Sequence, residues 1–465
     1  MRSPVFLLIA AAVGAVFFLG VRWIGNDYLF FAGYTVLQFI VLATAWNILG
    51  GYCGYVNFGS AAFFAVGAYS SVALHKLAAG IDRYVPEMLA PLANIILPLS
   101  IPSLIIVGGI MSGLIGFATG YLTLRLRGAF FAIATLALAV VLQTLIINWD
   151  FVGGSRGAYI IRPNSVPILD SYIQYLFLLM VVLSVVAVTT ARVIERSRLG
   201  YGFATIRDDE LAAEACGVPT LRLKLIATTI SGALMGMAGA PFPYYIGYLE
   251  PGSAFGLAYA VNSIAMPMIG GTTSWVGPLI GAILLGTLQQ VATVTISSAV
   301  NLLIVGFLLI GFVIMAPNGV VGLVKDFLRV AAPSRLNATA LCVLLIAGYC
   351  FLVGLGGVII GLAAAMSTKS AIFVGMGICA LVLSLAYLAS AYGLLKLESW
   401  SPLLTTTALV VSIPLSLLYI WMDNSAMNIV LELIGIAVAV AGIWYLQRPN
   451  VKRLYQPLLE QRVAS

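Results

Sequence analysis

The sequence predicts an all-α polytopic membrane protein, and three observations carry that prediction. The 465 residues are 62% hydrophobic and only 8% charged, where a soluble globular chain carries about a quarter charged residues. Several long stretches hold no Asp, Glu, Lys or Arg, and about 20 apolar residues in a helix suffice to cross roughly 30 Å of hydrocarbon. Apart from some 34 residues between Arg192 and Ile226, no segment is long and polar enough to fold as a domain in water. This composition excludes an ordinary soluble enzyme or binding module and has the size of a channel or transporter.

The charge-free runs place the spans. Residues 3–21, 88–124, 128–149, 171–191 and 225–249 each predict one. The run 28–74 holds two, broken at Gly50 and Gly51, and the run 251–324 holds three, broken at Gly270 and Gly271 and near Thr293. That gives ten spans by about Met315. Four further apolar runs, near 338–366, 370–395, 401–422 and 427–446, bring the expected total to fourteen. The first run follows Arg2 and has the outline of a signal peptide, but a second run starts at Tyr28, which favours a retained first span.

With the 192–224 loop on the cytoplasmic side, seventeen of the 23 Lys and Arg residues collect on that side. The positive-inside rule then predicts a multi-pass cell-membrane protein with both termini cytoplasmic. The net charge of +7 is accounted for by basic residues facing an anionic inner leaflet, so no nucleic-acid partner is expected. Cys53, Cys216, Cys342, Cys350 and Cys379 show no paired spacing and no neighbouring His, so neither a disulfide nor a metal is expected. The single His75 ends a span and is expected to hold a local hydrogen bond. There is no phosphate-binding loop of the form G-x-x-x-x-G-K-[ST] and no catalytic cluster. The chain is therefore expected to be no enzyme, to bind no cofactor, and to depend on a separate ATPase if ATP drives its work.

Two groups of residues stand out. In the 192–224 loop, Asp208 and Asp209 suit a helix N-terminus, Ala212, Ala213 and Ala215 favour helix, and Gly217 with Pro219 supplies a stop. The expectation is an exposed helix of about two turns. Arg207, Asp208, Asp209, Glu210 and Glu214 would contact a partner protein, while Ala212, Ala213 and Gly217 would let its backbone approach; the alternative is a solvated loop with no docking role. The second group comprises the helix breaks: Gly50, Gly51, Gly54, Asn57, Phe58 and Gly59 in the first, Gly270, Gly271, Gly277 and Pro278 in the second. Interrupted helices at membrane depth must face protein or a water-filled cavity, which makes these residues candidates for a translocation pathway, with tight packing through small residues as the alternative. Phe58, Phe63, Phe64, Tyr69, Tyr244, Tyr245 and Tyr248 are expected to face lipid or the interfacial belt, or alternatively to line an apolar route. Glu432 is the one carboxylate within the last four spans, near the external boundary.

The loop resembles the coupling loop of ABC importer permeases, with Leu211 at the first position of that motif and the acid one residue earlier at Glu210. Read together with Ser197, Arg198, Leu199 and Gly200, it is similar to the coupling region of branched-chain amino acid ABC permeases of the LivM type. Segment 54–69 resembles that family's first-half signature, with Ser60 where the family commonly has His. Leu124 to Gly128 with residues 132–136, Gly153 to Gly157, Gly270 to Pro278 and Ala316 to Gly322 follow the same pattern in the same order. The resemblance covers about residues 28–328. It implies a ten-span permease domain at 1–328 and, as partners, ABC ATPase subunits, a second LivH-like permease subunit and an extracytoplasmic substrate-binding protein, all working in a lipid bilayer. The implied substrates are branched-chain and other hydrophobic amino acids; urea or short amides in the same machinery, and an ion-coupled secondary transporter acting alone, are the alternatives. Residues 329–465 resemble a small four-helix membrane module of unknown function, on Ala391 to Trp400 and Tyr445 to Arg453.

The orientation is open to a direct check. A fluorescent protein fused after Ser465 is expected to fluoresce and alkaline phosphatase fused there to stay inactive; an active phosphatase fusion would reverse the register.

Overall fold

The computed structural model of the chain describes residues 3–81, 97–123, 126, 128–161, 169, 171–295, 306, 318–331, 338–365, 371–422 and 426–455. Among these residues the fold is all-α apart from one two-residue strand pair, and eleven helices are long and apolar enough to cross a membrane. The chain divides into two compact units, Met1–Thr287 and Leu288–Ser465.

In the first unit, α1 (Ser3–Ile24) and α2 (Asp27–Gly50) are followed by α3 (Ser60–Ala79), α4 (Ile101–Thr123), α5 (Ala129–Ile147) and α6 (Tyr172–Glu195). Two short helices, α7 (Arg198–Asp208) and α8 (Glu210–Ala215), lead into α9 (Thr220–Gly239). Then come α10 (Phe242–Ile246), α11 (Pro251–Ala254), α12 (Leu257–Gly270) and α13 (Val276–Thr295), the last crossing the boundary between the units. The predicted break after the second span is where α2 stops, and the Gly270–Gly271 break is where α12 stops. The expected tenth span, the end of the 251–324 run, falls largely on residues 296–305 and 307–317, outside the described residues, as do Leu124, Arg125, Arg127, Ala316 and Pro317 of the family resemblance.

α2 is apolar on every side and buried along its length from Leu37 to Leu49, as expected for a helix at the centre of a bundle. It packs on α6, α9 and α12, while α9 packs on α3 and α4. The α3, α4 and α9 contact is made through small residues: a Cβ at Gly67 would run into the Gly236 carbonyl, and Ser112 donates to the Phe63 carbonyl at 2.9 Å. Ile133, Val140 and Leu145 on α5, in contrast, are exposed, as a lipid-facing surface requires.

Two expectations need correcting. The aromatic residues do not form a belt: Phe63, Phe64, Tyr69 and Tyr244 are buried, Phe64 lies between Phe242 and Tyr259 at 5.1 and 4.6 Å, and Tyr245 stacks on Tyr34 at 4.1 Å. The small residues that bring α3 and α9 together carry these rings inward. The spans also reach further than the charge-free runs. α6 continues through Arg192 and Glu195, and α9 begins at Thr220, so Arg222 and Lys224 belong to a helix and not to the loop.

At the end away from α7 and α8, a short antiparallel ladder pairs β1 (Ala158–Tyr159) with β2 (Tyr248–Leu249). There His75 Nδ1 lies 3.3 Å from the Tyr244 hydroxyl, the local hydrogen bond expected of it.

The second unit holds α14 (Gly319–Ala331), α15 (Ala338–Ala365), α16 (Ala371–Lys396), α17 (Ser401–Met422), α18 (Ala426–Leu446) and α19 (Pro449–Leu454). α15 and α16 form its tightest pair, and one of its cores joins Phe327 of α14 to Val343, Leu394, Leu446 and Tyr455. Glu432 is partly buried on α18.

The packing of α3 on α9 makes a stability prediction. Gly67→Val is expected to insert but to lose about 1–3 kcal/mol through overpacking, seen as earlier thermal unfolding in detergent. Gly20→Val, where no atom lies within 4 Å of an added Cβ, is the control; equal unfolding of both variants would contradict the contact.

Candidate functional site

The site is the end of the first unit at which α6 hands over to α7, and it gathers both predicted groups of residues. Local sequence dictates the handover. Ser197 caps α7 by accepting from the Leu199 amide at 3.2 Å. Asp209, in extended conformation, caps α8 by accepting from the Leu211 and Ala212 amides at 2.9 and 3.0 Å, a cap worth about 1 kcal/mol. Gly217, at φ +81°, ends the turn, and Glu214 accepts from the Thr220 hydroxyl at 2.8 Å, tying α8 to the start of α9. The predicted short helix is therefore present, preceded by a second helix, α7, that the charge pattern did not announce.

Not all of its residues face outward. Asp208, Asp209, Leu211, Ala212, Glu214 and Gly217 are exposed, and Leu211 shows 64% of its surface. Arg207 pairs with its neighbour Asp208 at 3.2 Å in an exposed contact that contributes little. Ala213 is 5% exposed and packs inside the chain, which corrects the expectation that a partner would meet it. Glu210 also turns inward: its carboxylate holds Lys224 at 2.6 Å, with the two side chains 12% and 3% exposed. Its role as a partner contact is replaced by an internal one, the pairing with Lys224 near the start of α9. Removing one member of such a pair typically costs about 3–5 kcal/mol, since the other charge is left buried alone.

The first helix break meets this pair. The Tyr55 hydroxyl donates to Glu210 and lies 3.2 Å from Lys224 Nζ, and its ring packs edge-on against Phe131. Gly54, at φ +80°, brings the chain so close to α7 that an added Cβ would stand 3.2 Å from the Arg207 Cα; a side chain here would be strained by its conformation and crowded by Arg207. Asn57 turns the segment back, its carbonyl accepting from Trp46 Nε1 at 2.9 Å and its side chain from the Gly59 amide at 2.7 Å. The Phe58 amide donates to Thr135 at 3.2 Å.

The second break joins the first through Glu195. One carboxylate oxygen accepts from the Trp275 amide at 2.7 Å and from the Tyr52 hydroxyl at 3.3 Å. Burial, then the Glu195 charge, raises the Tyr52 phenol well above its ordinary pKa. The breaks also touch directly, since a Cβ at Gly51 would come 2.7 Å from the Thr272 carbonyl oxygen. Beside them the Arg192 guanidinium lies over the Phe6 ring at 3.7 Å, with the Trp275 ring at 5.6 Å. Gly270 and Gly277 let α12 and α13 meet backbone to backbone, and Pro278, buried, sits in the first turn of α13, where its missing amide costs nothing.

The arrangement links an exposed helix to two helix ends through polar contacts that are wholly or partly buried. Sequence reasoning missed Arg192, Glu195, Lys224, Tyr52, Tyr55 and Trp275. The available signal was charge at the edges of apolar runs, which had been assigned to the loop.

Comparison with known proteins agrees with this geometry. Residues 28–313 match the family described as branched-chain amino acid transport system, permease component. The chain belongs to this family. It is 26% identical over 317 residues to the high-affinity branched-chain amino acid transport system permease protein LivM of Escherichia coli, covering 63% of this chain and 69% of that protein. The LivM of Salmonella typhimurium is 25% identical over the same shares, and the probable branched-chain amino acid transport permease protein LivH of Methanocaldococcus jannaschii 26% over 57% of this chain and 82% of its own length. No solved structure matches significantly. The chain is thus an all-α, multi-pass membrane permease of the LivM-like type, and the matched region includes both breaks, α7 and α8.

The packing of the first break predicts thiol reactivity. Cys53 is fully buried and burial pushes its thiol up to about 12, so only about one part in ten thousand is thiolate at pH 8; Cys216 is exposed. A maleimide at pH 8 is expected to modify Cys216 at least about a hundredfold faster than Cys53, with denaturation abolishing the difference. Comparable rates in the folded protein would show that the break is open.

Proposed function

We propose that this chain is a transmembrane permease subunit of an ATP-driven ABC importer for branched-chain and other hydrophobic amino acids. The observation that carries the reading is a short capped helix, α8, which presents Leu211, Ala212, Glu214 and Gly217 to its surroundings while Glu210 at its root is tied by a buried ion pair and Tyr55 to the first helix break, which Glu195 joins to the second. A helix so built can receive a push at its tip and pass it inward. On this reading the tip, with Asp208 and Asp209, docks in the cleft of a cytoplasmic ABC ATPase, and both chain termini lie on the same side of the bilayer. ATP is bound and used by the ATPase subunits, and this chain holds no cofactor. A second LivH-like permease completes the pathway, and an extracytoplasmic binding protein delivers substrate. The Gly50–Gly59 and Gly270–Pro278 residues serve as joints rather than as substrate ligands. The names of the LivM and LivH relatives support the substrate class.

The assembly purified through this chain is expected to contain ATPase subunits and, in proteoliposomes with the binding protein, to take up leucine only with ATP, competed by isoleucine and not by urea. Leu211→Asp is expected to insert normally and to lose at least about nine-tenths of that uptake. Uptake without ATP, or uptake competed by urea alone, would overturn the reading.

A further inference from the structure

The two charges of the Glu210–Lys224 pair come from different elements, α8 and α9, and the third member, Tyr55, comes from the segment that follows the first helix break. Tyr55 therefore joins the exposed helix to a part of the chain some 155 residues away in sequence. The contact is reinforced next door, where an added Cβ on Gly54 would stand 3.3 Å from the Arg207 Cβ. Segment 51–59 is in turn tied to the buried α2 by the Trp46 bond to the Asn57 carbonyl. A buried, hydrogen-bonded ion pair resists separation, because each partner would lose its charged compensation for leaving water.

We propose that Lys224 is a positioning residue for transport: with Glu210 and Tyr55 it locks α8 and segment 51–59 into one rigid body, so that displacement of the exposed helix moves the end of α2 with it. This rests on the coupling role proposed above and names the residues through which the coupling runs. Force arriving at Leu211 then has a polar, buried route to the first helix break through Glu210, Tyr55 and Lys224 near the start of α9. Lys224 itself touches neither nucleotide nor substrate. Glu195, which clasps both breaks, extends the same body to the Thr272–Trp275 turn.

The test uses the whole assembly, with its ATPases, second permease and binding protein, in proteoliposomes. Lys224→Met is expected to retain bound ATPase and ATP hydrolysis while the substrate moved per ATP falls at least about tenfold, and Lys224→Arg to recover most of it. A wild-type ratio in Lys224→Met would contradict the proposal. Should that variant accumulate poorly, Tyr55→Phe decides, because it removes the hydroxyl that joins segment 51–59 to the pair and leaves both charges in place: the substrate moved per ATP is expected to fall at least about threefold with ATP hydrolysis unchanged, and an unaltered ratio would overturn the linkage. ATP-dependent uptake by the unmodified assembly is measured alongside; its absence would sink the importer reading and the linkage with it, while its presence confines any negative result to the linkage.

Discussion

Ionised side chains taken out of water must find compensation close by, and at the loop end of the first unit that constraint organises the structure. Glu195 satisfies it with the Trp275 amide and the Tyr52 hydroxyl, Glu210 and Lys224 satisfy it with each other and Tyr55, and Arg192 is covered by the faces of Phe6 and Trp275. Each of these contacts joins a charged residue of the α6–α9 connection to one of the helix breaks or to α1. The breaks would otherwise leave backbone groups unpaired in an apolar setting. The polar contacts thus close two discontinuities and anchor the exposed helix in one arrangement.

Much of the bundle was legible in the sequence because a charge-free run of 20 residues has few alternatives to a helix. The ends of α2 and α12 were legible for a related reason, since paired glycines interrupt a helix wherever they face a close backbone. The cap and stop of α8 were readable from Asp209 and Gly217, whose roles are local. The inward turn of Glu210 was not, and neither was the clasp of Glu195. A charge beside an apolar run reads as a loop residue when a hydrogen-bond partner, Tyr55 for Glu210 and Tyr52 for Glu195, lies more than a hundred positions away, and Tyr55 and Trp275 carry no mark that distinguishes them from interfacial aromatics. The burial of Phe64 and Tyr244 escaped notice for the converse reason: glycine-mediated packing of α3 on α9 depends on the pairing of two distant helices.

The division of exposed and buried residues along α7 and α8 has a functional consequence. Leu211, Ala212 and Glu214 remain for a partner, whereas Ala213, Glu210 and Lys224 are committed to the interior. Under the proposed coupling role, docking and transmission fall to different faces of the same six-residue helix. The family match ends at residue 313, and the second unit, with its own cores around Phe327 and Tyr387, extends well beyond it.

The central claim is that a half-buried carboxylate, that of Glu195, holds the two helix breaks together. Hydrogen–deuterium exchange at the Trp275 amide measures this most directly. The account predicts slow exchange in the wild-type protein and acceleration by at least about tenfold in Glu195→Ala, in keeping with the loss of a charge-assisted hydrogen bond. Rapid exchange at Trp275 in the wild type, or a rate unaltered by the substitution, would contradict it.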